Sequence, residues 1–318
     1  LAPARAPPLA TTTLTKHQQW ARQLCSANGA TKGAAFDVQA VCTGFVYALA
    51  LADNMIARGQ ARTALVVGAE TMSRLLDWTD RSTCVLFGDG AGALVMEAGD
   101  TVDLDHRGII DLQMNADGTL IDMLHTDGGP STTQTVGHLH MAGKEVFRHA
   151  VEKMSGAVLT LLDRHGFSPD DVKWYVPHQA NQRILAAVAA RIGAPPERFI
   201  STVAHHANTS AASVPLALHH LERSGALKRG DLMVMAGLGG GHRRTRAVAP
   251  AAVQAVVARA AEATARAAEV TAAEATAAAV MAEAAKVAAG RAGVGGGAGG
   301  GGGGGGGAAG GGGGGGGG

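Results

Sequence analysis

Three features of the sequence predict a mixed α/β architecture. Short apolar, β-compatible runs alternate with segments whose large apolar residues recur every three or four positions. Glycines stand just past those periodic segments, at Gly59, Gly166, Gly193 and Gly225, where helices commonly stop. Three chemically distinctive residues, Cys42, His178 and Asn208, each fall where a strand gives way to a helix. Open α/β sheets place their sites at such junctions.

Taken in order, the first residues are weakly patterned. Leu1 to Thr15 is rich in Pro, Ala and Thr, and Lys16–Leu24 is expected to form a short helix. No charged segment precedes an apolar core there, so a secretory signal is not expected, and the missing initial Met suggests a fragment. Ala34 to Leu49 reads as a buried strand, a sharp turn bearing Cys42, then a helix carrying Phe45, Leu49, Ala52 and Ile56 that stops at Gly59. Free N–H groups and the dipole at a helix start favour a thiolate. A thiolate so placed is a nucleophile for an acyl group. The same residue also fits as inert core filler, because cysteine is among the most buried residue types.

Thr63–Ala69 is an unbroken apolar strand, and Leu75–Arg81 a loop with Trp78. Cys84–Phe87 and Ala93–Met96 read as two strands joined through Gly88-Asp89-Gly90-Ala91-Gly92. No helix follows these glycines, which argues against a dinucleotide fingerprint. A tight turn and close backbone approach account for them better. Gly108–Met114 is a further strand, and Asn115–His140 a surface loop. His138 and His140 alternate within it as a solvated pair; without Cys or acidic partners at ligand spacing, no metal is expected.

Gly143–Arg164 is an amphipathic helix with Val146, Phe147, Val151, Met154, Val158 and Leu161 near one face. A turn at Ser168–Asp171 leads to a strand over Val172–Val176 and a helix over Ala180–Ile192. Another helix covers Ser210–Arg223, and a strand covers Asp231–Leu238. Beyond Pro250 the composition shifts. Ala251–Ala289 is Ala-dominated, with Glu262 and Arg266 at helical spacing, and is expected as a lone helix or a disordered extension. Gly295–Gly318 is almost pure Gly and cannot hold a fold.

Composition excludes several classes. The 318 residues carry a net charge of +1, so no basic field argues for nucleic acid. Aromatics are only 3%, too few for base-stacking platforms. Cys25, Cys42 and Cys84 form no disulfide framework, which fits a reducing compartment. No apolar run reaches the length of a bilayer span.

Taken singly, His178 is explained as a satisfied polar residue and Asn208 as a helix N-cap. Together with their neighbours they carry a resemblance. The motifs are Asp37-Val38-Gln39-Ala40-Val41-Cys42-Thr43-Gly44-Phe45, Leu86-Phe87-Gly88-Asp89-Gly90-Ala91-Gly92, His178-Gln179-Ala180-Asn181-Gln182-Arg183-Ile184, Asn208-Thr209-Ser210 and Gly237-Leu238-Gly239-Gly240-Gly241. Over about Lys32 to Gly241 the sequence resembles the β-ketoacyl-acyl-carrier-protein synthase III family of condensing enzymes. Several linked motifs in one order are far more specific than any single pattern.

The resemblance implies a thiolase-like fold: two similar α/β halves with mixed sheets in a layered arrangement, usually dimerised. The family carries a substantial segment ahead of the region matching Lys32, so the N-terminal half is expected to be incomplete. The domains would be a poorly patterned stub (1–32), a partial N-terminal half (33–140), a C-terminal half (141–250), the Ala-rich segment (251–294) and the Gly-rich tail (295–318). After Gly241 the family's closing strand is expected to be lost, because His242-Arg243-Arg244-Thr245-Arg246 stands there.

The resemblance also implies roles. Cys42 would accept the acyl group, with His178 and Asn208 completing the catalytic trio. The backbone N–H groups of Cys42 and Gly240 would form the oxyanion hole. Arg81, Gly143 and Asn181 would lie along the coenzyme A path, and Gln179, Ala180, Asn181, Gln182 and Arg183 would meet acyl carrier protein. The implied reaction is decarboxylative condensation of a short acyl-coenzyme A with malonyl carrier protein through an acyl-Cys42 intermediate. It needs no cofactor or metal. Acyl carrier protein, acyl-coenzyme A and a second copy of the chain are the implied partners, without nucleic acid or membrane. The compartment would be the bacterial cytoplasm or, alternatively, an algal plastid. Rival readings are a polyketide-type condensing enzyme and an inactive fragment that only binds carrier protein or a partner subunit. A papain-type hydrolase shares the Cys, His, Asn order, but Val41-Cys42-Thr43-Gly44-Phe45 lacks that family's signature.

Overall fold

A computed structural model describes residues 5–6, 8–10, 21–22, 25, 33–99, 108–129, 133–135, 137–240 and 251–259. The first sheet holds β1 (Arg5–Ala6), β2 (Pro8–Ala10), β3 (Phe36–Val38), β4 (Thr63–Glu70) and β5 (Gly90–Glu97). β1 and β2 pair parallel with β4 in a single register: Arg5 lies opposite Thr63, Ala6 opposite Ala64, Leu9 opposite Val67 and Ala10 opposite Gly68. Both strands therefore keep the same offset along β4. β2 also pairs parallel with β3, while β5 runs antiparallel along all of β4. The region 1–32, expected as an unpatterned stub, thus supplies an interior strand. Nothing in its Pro/Ala/Thr-rich sequence alternates, so its pairing comes from neighbouring backbones rather than from a side-chain pattern. Most of the expected Lys16–Leu24 helix lies outside the described residues.

α1 (Gly44–Ala57) follows β3 and ends near Gly59, whose φ of +69° suits glycine. The second sheet has the order β6 (Gly108–Asp117), β11 (Ala251–Arg259), β10 (Leu232–Gly239), β9 (Trp174–Pro177). β9 and β10 are parallel, and β11 is antiparallel to both of its neighbours. Between β6 and β9 come the hairpin β7 (Leu124–Thr126) and β8 (Leu139–Met141), then α2 (Gly143–Arg164). α3 (Gln182–Ile192), a short α4 (Val203–His206) and α5 (Ser213–Arg223) precede β10.

β11 corrects the sequence reading. The start of the Ala-rich segment is neither a lone helix nor unpaired, and a strand closes the second sheet after all. Ala's helix preference over other residues is worth about 0.5 kcal/mol per residue. Against it stand two ladders, pairing Gly239 with Ala252 on one side and Gly108 with Arg259 on the other. The remainder of that segment and the Gly-rich tail lie outside the described residues.

Side-chain alternation sets the layers. On β10, Leu232, Val234, Ala236 and Leu238 pack with α2 and α3, including Met154, Leu161, Ile184 and Val188. Met233 and Met235 face the other way, toward Phe45 and Leu49 of α1 and Val214 and Leu221 of α5. On β4, Ala64 and Val66 meet the same two helices, while Val67 turns outward to Ala21 and Ala91. α1 and α5 are therefore sandwiched between the sheets, which explains why both β4 and β10 read as continuous apolar runs.

Two local expectations fail. Cys84–Phe87 is not a strand; it forms turns, with only Phe87 bridging to Asn208. The Gly88–Gly92 run is no turn between strands, because β5 itself starts at Gly90. The glycines serve close approach alone. A Cβ on Gly92 would lie 2.9 Å from Pro215 Cβ, and one on Gly90 3.0 Å from Leu216 Cδ1. The Asn115–His140 loop is also more ordered than expected, holding the end of β6, a 3-10 helix at Gly118–Met123 and the β7–β8 hairpin.

Gly68 gives a stability prediction. A Cβ there would sit 2.5 Å from the Ala211 carbonyl oxygen, backbone that cannot rotate aside. Gly68→Ala is expected to cost about 1–3 kcal/mol. A lowered urea midpoint with an unchanged slope would record it.

Candidate active site

Cys42 sits in a 3-10 turn, Val41–Thr43, immediately ahead of α1. Val41 holds φ at +52°, a conformation strongly disfavoured for a β-branched residue. Such strain costs about 1–3 kcal/mol and persists only where surroundings impose it. Here Thr43 donates to the Ala40 carbonyl through both N (3.2 Å) and Oγ1 (2.7 Å). The end of β10 closes over this turn: a Cβ on Gly239 would lie 2.6 Å from Ala40 O and 2.9 Å from Thr43 Oγ1. Only bare backbone fits there.

His178 leaves the end of β9, with its N–H donating to Ala236 O at 2.7 Å. Its ring is buried, and Nδ1 lies 2.6 Å from Ser213 Oγ. Asn208 is clamped to the chain near Phe87: its N–H donates to Leu86 O (2.9 Å), and its carbonyl accepts from Gly88 N (3.0 Å). The Asn208 Oδ1 accepts from Ser210 N at 2.9 Å, the first residue of the following 3-10 turn; the N-cap position of that turn is Thr209, so Asn208 binds the turn from one residue ahead of its cap.

The three residues meet around Ser210, another non-glycine at positive φ (+50°). Its hydroxyl donates to the Cys42 sulfur, its backbone hydrogen-bonds the His178 ring, and its N–H binds Asn208. Gly237 lines the same junction. A Cβ there would lie 3.4 Å from His178 Cβ and 3.7 Å from Cys42 O.

Electrostatics reverse one expectation. Cys42 is not held as a thiolate: burial pushes its thiol up to about 12, and the nearby Glu70 adds to the rise. The Ser210 hydrogen bond and the cysteine's own N–H pull the other way without prevailing. Desolvation in a closed site outweighs the field of a helix start. Burial lowers His178 to about 4, so its imidazole is neutral at pH 7.

An apolar cluster of Met72, Leu75, Leu76, Phe87, Leu124 and Leu139 borders the trio. Phe87 bridges to Asn208, and Gly240 backs onto Leu124, whose Cγ would lie 2.7 Å from an added Cβ.

Comparison with known proteins settles the ancestry. Residues 36–118 match the family model for 3-oxoacyl-[acyl-carrier-protein] synthase III, and residues 162–249 match the model for its C-terminal part. The chain belongs to this synthase III family. It is 57% identical over 213 residues to β-ketoacyl-[acyl-carrier-protein] synthase III of Rhodospirillum centenum, covering 67% of this chain and 66% of that protein. With the Caulobacter vibrioides protein of the same name it shares 56% over 214 residues, again covering 67% and 66%. The chain thus spans just under two thirds of the length of these curated relatives. The crystal structure of the Pseudomonas aeruginosa 3-oxoacyl-(acyl carrier protein) synthase III superposes with a TM-score of 0.73 at 40% identity. It covers 81% of this chain and 78% of that one. The fold is accordingly the thiolase-like α/β fold of the synthase III enzymes.

The remaining residues that the synthase III resemblance singled out are scattered around this centre. Arg81 is exposed on a loop whose Asp80 carboxylate accepts from Ser82 N at 2.9 Å and Thr83 Oγ1 at 2.7 Å. Gly143 is exposed at the first position of α2. Asn181 caps α3, its Oδ1 accepting from Ile184 N at 2.9 Å. Ala180 packs against the outer core, while Gln182 and Arg183 are exposed. Gln179 must be withdrawn as a carrier-protein contact. It is 0% exposed, and its amide donates to Pro177 O and Ile200 O and accepts from Thr202 N. Its side chain ties the His178 loop to the segment before α4. His140 is not simply solvated: its Nε2 lies 2.9 Å from Asp127 Oδ2. Among the described residues no cluster of three or more His, Cys, Asp or Glu could hold a metal, and no helix is long and apolar enough to cross a membrane.

Ser210, Ser213 and Glu70 escaped the sequence reading. The two serines lie in the Asn208-Thr209-Ser210-Ala211-Ala212-Ser213 run, three residues apart, the spacing that brings side chains to one side of a tight helical turn. That spacing was the available signal.

The shifted groups predict a pH window for stability. An unfolded His178 takes a proton below 6.5, the folded one only below about 4. The unfolded state binds more protons between these values, so stability falls as pH drops through that range, by up to about 3 kcal/mol. Unfolded Cys42 ionises above 9.0, while the folded thiol holds its proton to about 12, so stability falls again above pH 9. Urea midpoints should therefore be highest between about pH 6.5 and 9. His178→Gln should flatten the acid limb and leave the alkaline limb unchanged.

Proposed function

We propose that this chain carries out the first condensation of fatty acid synthesis, joining a short acyl group from coenzyme A to malonyl carrier protein. The observation that carries the reading is the meeting of Cys42, His178 and Asn208 around Ser210 in a water-poor site. In the first half-reaction Cys42 gives its proton to His178 and the sulfur attacks the acyl carbonyl. The coenzyme A thiolate leaves and takes that proton away. Backbone donors, Cys42 N–H among them, face the transient oxyanion.

In the second half-reaction malonyl carrier protein loses carbon dioxide. The electron pair of the broken carbon–carbon bond forms an enolate, whose oxygen accepts hydrogen bonds from His178 and Asn208. Neutral donors suit this step, because they need no rearrangement as charge appears. The enolate carbon attacks the Cys42 thioester, the carbon–sulfur bond breaks, and the thiolate takes up one proton from solvent, the proton that decarboxylation of a carboxylate consumes overall. Decarboxylation itself supplies the carbanion, so no cofactor enters.

The apolar cluster beside Phe87 and Leu124 suits a short hydrocarbon primer. Carrier protein would dock at the start of α3. There Arg183 lies exposed over the Phe147 ring at 5.7 Å, with Lys144 and Arg148 exposed on α2. Coenzyme A would approach past Arg81, Gly143 and Asn181. A second copy of the chain is the natural cover for the outer edge of β5, which no described strand pairs and which exposes Val95. Bacterial cytoplasm is the fitting compartment, given bacterial relatives of the same name.

Incubation with acetyl-coenzyme A followed by intact-mass and peptide analysis tests the reading. One acetyl group on Cys42, discharged by malonyl carrier protein with release of carbon dioxide, is the expected result. An unmodified Cys42 with every short acyl thioester would overturn it.

A further inference from the structure

We propose that Glu70 is a positioning residue for Cys42: from the buried face of β4 its carboxyl grips the turn carrying Ser210 and sets a charge near the sulfur. This rests on the reaction proposed above, in which Cys42 takes the acyl group. Ser210 touches all three members of the trio, so whatever fixes its turn fixes their spacing. That turn holds Ser210 at a φ of +50°, a conformation that persists only where surroundings impose it.

The grip comes from one strand. Alternate residues of a strand share a face. On β4, Ala64 and Val66 meet α1 and α5, and Gly68 and Glu70 continue the same row. Ala211, the residue after Ser210, rests on that row by both of its backbone polar groups. Its N–H donates to Glu70 Oε1 at 3.3 Å. Its carbonyl seats over Gly68, where an added Cβ would lie 2.5 Å from the oxygen. On the other side of Ser210, Asn208 Oδ1 accepts from the Ser210 N–H at 2.9 Å. The strained residue is thus anchored from two directions, by a member of the trio and by Glu70.

The fold alone does not require a carboxyl here. Glu70 is 3% exposed on a face that is otherwise apolar or bare, where burying a carboxyl costs free energy unless it is hydrogen-bonded. Its charge has a second consequence. Among the described residues, the titratable groups placed around the sulfur are Glu70 from β4 and His178 from the end of β9. The Cys42 turn brings Thr43, the Ser210 turn brings a hydroxyl, and β10 brings the bare backbone of Gly237 and Gly239. With His178 neutral, Glu70 is the charge that opposes the Cys42 thiolate. The thiolate, not the thiol, is the form that alkylating agents and oxidants attack. The carboxyl that aligns the sulfur therefore also keeps it unreactive until His178 and an acyl thioester are both in place.

Glu70→Gln and Glu70→Leu separate the acceptor from the charge. Gln keeps a carbonyl oxygen for the Ala211 N–H and removes the charge, whereas Leu removes both. Leu should slow single-turnover acylation of Cys42 by acetyl-coenzyme A about 100-fold, with the half-saturating thioester concentration unchanged. Gln should retain most of the acylation rate. Iodoacetamide, followed by peptide mass analysis at Cys42, reads the sulfur without any acyl substrate. In the Gln variant alkylation should begin to rise at lower pH than in the wild type, a shift that loss of a merely structural contact would not give. A Leu variant with the wild-type acylation rate, or a Gln variant with the wild-type alkylation profile, overturns the proposal. If the Leu variant does not fold, the Gln profile decides alone. A shifted Gln profile in a protein that no acyl thioester modifies would refute the proposed reaction and leave the placement of Glu70 beside Cys42 standing.

Discussion

Cys42→Ala is expected to leave a folded protein that acquires no acyl group from any coenzyme A thioester. Cys42 is 3% exposed, and the Ser210 hydroxyl hydrogen-bonds its sulfur. Removing it deletes the sole atom in the trio able to form a thioester, so intact mass should show no adduct where the wild type shows one. The fold should survive. Cys to Ala removes a single heavy atom, and the price is one small void plus the lost hydrogen bond between Ser210 and the sulfur, together about 1–3 kcal/mol. The Thr43 clamp and the Gly239 contact that hold the turn do not involve the sulfur. An acyl adduct that persists in the variant would place the nucleophile elsewhere.

Asn208→Asp has the next largest expected effect. The Asn208 Oδ1 is committed to Ser210 N, which leaves the amide hydrogens as the part able to face an enolate oxygen. Aspartate keeps the acceptor and therefore the turn, but loses the donor. Loss of such a donor costs about 100- to 1,000-fold in rate. The deficit should fall on condensation, read as carbon dioxide released from malonyl carrier protein, and much less on acylation of Cys42. Burial raises the pKa of such an introduced carboxyl group. Below that pKa the protonated acid can donate again, so activity of the variant should recover as pH is lowered. A variant impaired equally in both half-reactions would point to collapse of the Ser210 turn instead.

The site was legible in the sequence wherever a residue type and a backbone junction coincided. Cys42, His178 and Asn208 each stand where a strand ends or a helix begins, and the structure brings them together around one serine. Ser210 and Ser213 were not legible in the same way. A serine's role depends on which neighbour its hydroxyl finds, and the positive φ of Ser210 leaves no mark in composition. The protonation state of Cys42 was misread because a helix start can be recognised locally, whereas burial by two distant halves cannot. Gln179 looked like part of an exposed motif, but its neighbour in space, Thr202, lies well downstream. Helices α2 and α5 were plain from their periodicity. The strands near residues 5–10 and 251–259 were hidden, because low-complexity Ala-rich chain takes its conformation from whatever backbone it meets.

The place of β11 bears on how the protein is made. It lies between β6 and β10, yet a ribosome delivers it after both. Until Arg259 clears the exit tunnel, the nascent second sheet carries two unsatisfied edges instead of one closed ladder. Translation adds only about 5–20 residues per second, so those edges stay open on the timescale at which sticky intermediates find each other. The second sheet is therefore completed only when the last of its described strands to be made arrives between the two already present.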